Sequence, residues 1–192
     1  MYRGTQEIFA FSLADKSIRQ VTKDCHDINT FLMNGNDIYA TEVSMSHPAE
    51  VFLYTADGNE QQGAALTHIN TAVLEQCRMG KTEERWIKTT DGKKMLTWVV
   101  YPPHFDSSVK YPSILICLGG PQGVISQGWS TRWNYRLMAS QGYIVVLPNR
   151  RGTTSFGQEW GDPRYMLDTQ SGNNNFCFHG TGTHTLQMPI DA

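Results

Sequence analysis

The sequence predicts a β-rich region of propeller-blade type followed by an α/β region, both incomplete. Three observations predict it: a strand-and-turn phrase that occurs twice, a change of rhythm after Gly80, and two apolar runs separated by a helical stretch. Its 192 residues, 40% of them hydrophobic, suffice for one medium domain or for pieces of two.

The repeated phrase is QEIFAFSLADKSIRQVT, Gln6 to Thr22, set against AEVFLYTADGNEQQGAALT, Ala49 to Thr67. Glu7, Ile8, Phe9 and Phe11 align with Glu50, Val51, Phe52 and Tyr54. Each copy passes through a turn, Ala14-Asp15-Lys16-Ser17 or Ala56-Asp57-Gly58-Asn59, to a short strand closing in Val21-Thr22 or Leu66-Thr67. Between them NGNDIYATEVS supplies a turn and the β-prone stretch Ile38 to Val43. A period of roughly 40 to 45 residues built of short strands is the signature of four-stranded propeller blades. The alternative is a plain antiparallel meander. Two partial blades close no ring, so earlier blades are expected in a larger whole.

After Gly80, ERWIKTTDGKKMLTWVVYPP reads as strand, Asp91-Gly92 turn and strand, with Met95 to Tyr101 as the second strand. Pro102, Pro103 and Pro112 mark a loop. SILICLGGPQG, Ser113 to Gly123, is then an apolar run suited to a buried strand that ends in bare backbone. The stretch SQGWSTRWNYRLMASQG reads as a helix, with Trp133, Arg136, Leu137 and Ser140 along one face, Ser130 or Thr131 as its cap and Gly142 at its end. Tyr143 to Leu147 is a second buried strand. A helix between two apolar strands implies a βαβ crossover and a parallel sheet, in which ligands gather at the carboxyl ends of the strands.

Sixteen basic against eighteen acidic side chains give a net charge of −2, with no basic tract, so nucleic acid is not an expected partner. No run approaches the roughly 18 to 20 apolar residues of a membrane span. The start MYRGTQEIFAF lacks a signal-peptide core. Read literally the chain is cytoplasmic; a signal ahead of missing blades would make it periplasmic or secreted. Cys25, Cys77, Cys117 and Cys177 stand singly, and His179 and His184 lie in a glycine-rich tail, so no metal, disulfide framework or other cofactor is expected.

The chemistry centres on Gly119-Gly120-Pro121. These residues form either a tight βα turn without a ligand or a loop whose N–H groups face a developing oxyanion, as in α/β-hydrolases, which build part of that hole after the third strand. Phosphate binding is excluded because neither GxGxxG nor GxxxxGK[ST] occurs.

Tyr111 to Trp160, with the GGP loop, the aromatic-rich helix and Asn149-Arg150-Arg151-Gly152 in order, resembles the opening of the catalytic domain in the prolyl oligopeptidase family of serine peptidases. The resemblance is to its dipeptidyl-peptidase and acylaminoacyl-peptidase branches. It implies the first part of an α/β-hydrolase domain behind propeller blades, and hydrolysis of peptide bonds in short peptides through an acyl-enzyme, with no cofactor. It places the blades at residues 1–80 and the start of the peptidase domain at 81–160; the tail at 161–192, rich in Gly, Asn and Thr and without a period, reads as atypical and disordered and departs from the family pattern as a frameshift would.

Of the catalytic groups only Gly119 and Gly120 carry over, as oxyanion-loop candidates. Leu118 stands where some relatives place a tyrosine. No GxSxG occurs; GWSTR around Ser130 and GTTSFG around Ser155 are imitations better read as a helix cap and a loop hydroxyl. His104 and His179 match no family position, so no member of the Ser/Asp/His triad is present and the chain alone is expected to be inactive. Arg151 is read as structural, and Arg150 as either a loop pin or a substrate contact. The competing readings are a non-catalytic β-rich interaction module and an esterase or lipase of the same fold.

Overall fold

In the computed structural model, residues 1–89, 91–118 and 122–161 are described, and they fall into two compact units. One comprises Met1–Cys77 with Ser126–Trp133; the other comprises, of the described residues, those from 78 to 125 and from 134 to 161. Among the described residues, no helix is long and apolar enough to cross a membrane.

The first unit is built of two antiparallel sheets. Strands β1 (Phe9–Phe11) and β2 (Ile18–Gln20) form one. Strands β3 (Asp27–Asn34), β4 (Asp37–Ser44), β5 (His47–Thr55) and β6 (Ala64–Ala65) follow in spatial order β3-β4-β5-β6 and have the form of a complete propeller blade. The β3–β4 hairpin turns at Gly35, whose φ of +61° suits a residue without a Cβ. The helix α1 (Thr71–Leu74) follows. Ile8, Val21, Ile28, Ile38, Ala40 and Tyr54 form the core and bring residues from both sheets together.

The repeat is reproduced atom by atom. Thr22 donates its hydroxyl to Glu7 Oε2 at 2.6 Å and accepts the Ile8 N–H at 2.9 Å. Thr67 donates to Glu50 Oε2 and accepts the Val51 N–H at 2.8 Å. Hence β1–β2 corresponds to β5–β6, the outer half of a blade. The hydroxyl of Thr67 and the N–H of Asn70 hold the Glu50 carboxyl down at about 2, against the smaller upward push of burial.

The second unit contains β7 (Thr82–Lys88), β8 (Lys94–Val100), β9 (Ser113–Leu115), α2 (Tyr135–Ser140), β10 (Ile144–Pro148) and α3 (Gln158–Gly161). The spatial order is β7-β8-β10-β9. Strand β10 runs parallel to β9 and antiparallel to β8, so the sheet is mixed where the sequence implies a parallel one. Leu96, Trp98, Val100, Val145 and Leu147 are buried to 1% exposure or less. At that burial each large side chain contributes about 1.5–3 kcal/mol by leaving water.

Three sequence expectations are corrected. The helix starts at Tyr135, capped by Asn134, whose side chain accepts the Leu137 N–H at 3.1 Å; Ser130 instead accepts the Trp133 N–H at 3.0 Å in the loop ahead of it. With that start the helix buries Ala139 and leaves Trp133 and Leu137 exposed. Gly142, at φ +90°, does end it. Residues 126–133 join the first unit, because Ser126 donates to the buried Asp27 carboxylate at 2.6 Å.

Candidate functional site

Strand β9 ends early. Ile116 still donates to the Val146 carbonyl at 2.9 Å, but Cys117 is exposed and the ladder stops there. Gly119, Gly120 and Pro121 lie outside the described residues, as do His179, His184 and Cys177. Both stems of the glycine turn are described, and one short segment holds them.

That segment is Asn149–Thr154, at the carboxyl end of β10. Asn149 is buried, and its amide accepts the Ile125 N–H at 2.8 Å while donating to the Ile125 carbonyl at 3.0 Å. The Trp98 indole donates to the same carbonyl at 3.0 Å. Arg150 donates to the Leu118 carbonyl at 3.2 Å and to its neighbour Arg151 O at 3.1 Å. Thr154 reaches the Gln122 carbonyl at 3.4 Å. Because β9 and β10 are parallel, these contacts sit beyond the carboxyl ends of both strands, where ligands of α/β sheets collect.

The two arginines divide their work. Arg151 lies over the Trp160 ring, 4.1 Å from its centroid, and pairs with Asp91 of the β7–β8 turn, so it fastens the hairpin to α3. Trp160 in turn donates to the Arg150 carbonyl at 3.0 Å, and Gly152, at φ +87°, to the Trp160 carbonyl at 2.9 Å. Arg150 is the guanidinium that holds the Leu118 carbonyl. Its contact pins a loop carbonyl, the first of the two roles left open by the sequence.

Ser155 occupies a half-buried turn at φ +86°, a conformation that favours glycine. His104, also at positive φ, lies 3.4 Å from Arg78 in the loop after β8. Ser130 and His104 take the Trp133 N–H and Arg78, respectively, as their partners. Sequence reading missed Asn149 and Thr154 as anchors; a polar residue closing an apolar run was the available signal for the first.

Comparisons with known proteins point the same way. The model of the prolyl oligopeptidase family matches residues 129–176. Dipeptidyl-peptidase 5 of Porphyromonas endodontalis is 45% identical over 155 residues, which cover 81% of this chain and 22% of that protein. Among solved structures, Pyrococcus horikoshii acylaminoacyl peptidase superposes with a TM-score of 0.69 at 23% identity, over 83% of this chain and 24% of that one. Porphyromonas gingivalis dipeptidyl peptidase 4 superposes with a TM-score of 0.61 at 25% identity, over 85% and 23%. The class so defined is that of peptidases of the prolyl oligopeptidase type. The chain is a part-length sequence of the prolyl oligopeptidase family, spanning about a fifth of the length of the curated relatives it matches.

Proposed function

We propose that the protein these residues represent is a serine peptidase that releases dipeptides or similar short pieces from peptides through an acyl-enzyme. In this reading the first unit is the C-terminal portion of a β-propeller and the second the N-terminal portion of an α/β-hydrolase domain. Gly119 and Gly120 supply backbone N–H donors to the oxyanion of the tetrahedral intermediate. The observation that carries the reading is the parallel β9–β10 pair. The glycine turn follows the third strand of its sheet and precedes the helix, the position at which α/β-hydrolases place such donors.

Arg150 fits the same reading. Its guanidinium holds the Leu118 carbonyl, the last described group before the proposed oxyanion donors Gly119 and Gly120. Removing one such donor in a hydrolase costs on the order of 10²–10³ in kcat. The nucleophile, acid and histidine belong to the part of such proteins that these 192 residues do not span, and the chain alone is inactive.

The test is labelling of the 192-residue chain with a fluorescent fluorophosphonate alongside a fluorogenic dipeptide substrate. Neither label nor turnover is expected; turnover abolished by the reagent would place a nucleophile within these residues. Resequencing the locus should give blades upstream and GxSxG with its Asp and His downstream. Their absence would favour the non-catalytic interaction module.

A further inference from the structure

The two Glu–Thr pairs of the first unit differ in their third partner. In the second copy it is Asn70, whose backbone N–H and side-chain amide donate to Glu50 Oε1 at 2.9 and 3.1 Å. In the first copy it is His26, 3% exposed, in the link between β2 and β3. Its Nε2 lies 3.2 Å from Glu7 Oε2 and its Nδ1 lies 3.3 Å from Glu42 Oε2.

A neutral imidazole carries one N–H and one lone pair. With a carboxylate oxygen at each ring nitrogen, the neutral form would set its lone pair against an anionic oxygen in a place almost without water. Imidazolium satisfies both. Every neighbouring element contributes to this balance. Glu7 comes from the segment before β1, Glu42 from β4, and Tyr54 from β5 donates its hydroxyl to the same Glu42 oxygen. Asp24 acts through its charge from the chain leading into β3. The adjacent Asp27 carboxylate is occupied by the Gln6 N–H at 2.9 Å and by Ser126. His47, on the partly exposed side, lies 3.7 Å from the other Glu42 oxygen. Among the described residues, His26 and His47 are the imidazoles within 4 Å of Glu7 and Glu42.

We infer that His26 is a pH-responsive bolt between the two sheets of the first unit: as imidazolium it ties the segment before β1 to β4, and on losing its proton it lets the β1–β2 sheet loosen from the β3–β6 sheet. The inference does not depend on the peptidase reading. Burial alone pushes the imidazole down, but the hydrogen bond to Glu7 and the charges of Glu42, Glu7 and Asp24 outweigh it, so the net shift is upward. A raised histidine contributes stability that is complete below its unfolded value near 6.5 and is lost as pH rises through the folded value. The loosening therefore falls on the alkaline side.

The seam has a local reporter, because the Ile28 N–H donates to the Gln6 carbonyl across the two sheets at 2.9 Å. Hydrogen exchange of that amide in the 192-residue chain, corrected for intrinsic rate, is compared between pH 6 and pH 9 in wild type and in His26→Asn, which copies the Asn70 arrangement. Wild-type protection is expected to fall on the order of tenfold for each unit by which the folded pKa exceeds the unfolded one. The variant should show no such fall. Parallel profiles in the two proteins would overturn the inference. If the variant does not fold, the wild-type imidazole nitrogens decide by NMR: His26 doubly protonated at pH 7 supports the bolt, and a neutral tautomer at pH 6 overturns it.

Discussion

The two units hold their strands by different means. In the first, charged and hydroxylated side chains sit inside: Thr22, His26, Asp27, Glu42 and Glu50 are all buried, each bonded to a residue from another strand or connecting segment. In the second, β8 and β10 bury an interior that is apolar apart from Thr97, and the other buried polar groups, Asn149 and Thr153, lie beyond the end of β10. A repeated half-blade has too little area to hold by apolar burial alone, so it recurs with a directional latch. A mixed sheet flanked by a helix can rely on area and free its strand ends for polar work.

The largest expected effect lies where the second unit has no room. A Cβ at Gly80 would stand 1.9 Å from the Tyr101 carbonyl oxygen and 2.6 Å from that of Pro102, both backbone. Gly80→Ala should cost more than about 3 kcal/mol in urea unfolding; a loss under roughly 0.5 kcal/mol would refute the close approach.

Next is Asn149→Ala, which strands the Ile125 N–H and removes one of two donors to its carbonyl. About 2–3 kcal/mol of stability should go, with faster hydrogen exchange at Ile125. Unchanged exchange there would mean that the segment after β10 does not hold the chain at Ile125.

The latches of the first unit are tested as a pair. Thr22→Val and Thr67→Val each remove a hydroxyl that donates to a buried carboxylate and accepts a backbone N–H. Each should cost about 1–2 kcal/mol, and similarly. One neutral result beside one large one would break the equivalence of the copies.

The smallest effect is a gain. Ser155→Gly relieves a positive φ and should stabilise the second unit by up to about 1 kcal/mol, reduced by the added freedom of the unfolded chain. A thermal melt reads it directly, and a loss would show that the Ser155 side chain contributes more than the strain.

Much of this was legible in the sequence where the signal is local. The apolar runs marked β7, β8 and β10, Gly142 marked the helix end, and Glu7/Glu50 with Thr22/Thr67 marked the repeat. Strand β3 was missed because most of it, from Asn29 to Asn34, is exposed and shows no alternation. The helix start was misplaced because Ser130 and Asn134 are both good caps and only packing chooses between them. For the site, Arg151 was readable as structural, whereas the contact of Arg150 with Leu118 spans 32 positions and leaves no local trace. The His26 arrangement was hidden for the same reason, since its partners come from positions 7 and 42.

The peptidase assignment is tested most directly by turnover of a fluorogenic dipeptide substrate by the product of an uninterrupted reading frame containing these residues. Release of the dipeptide from the substrate's amino end, abolished by a fluorophosphonate, is the predicted result. Full-length product that folds but neither cleaves the substrate nor takes up the reagent would contradict it.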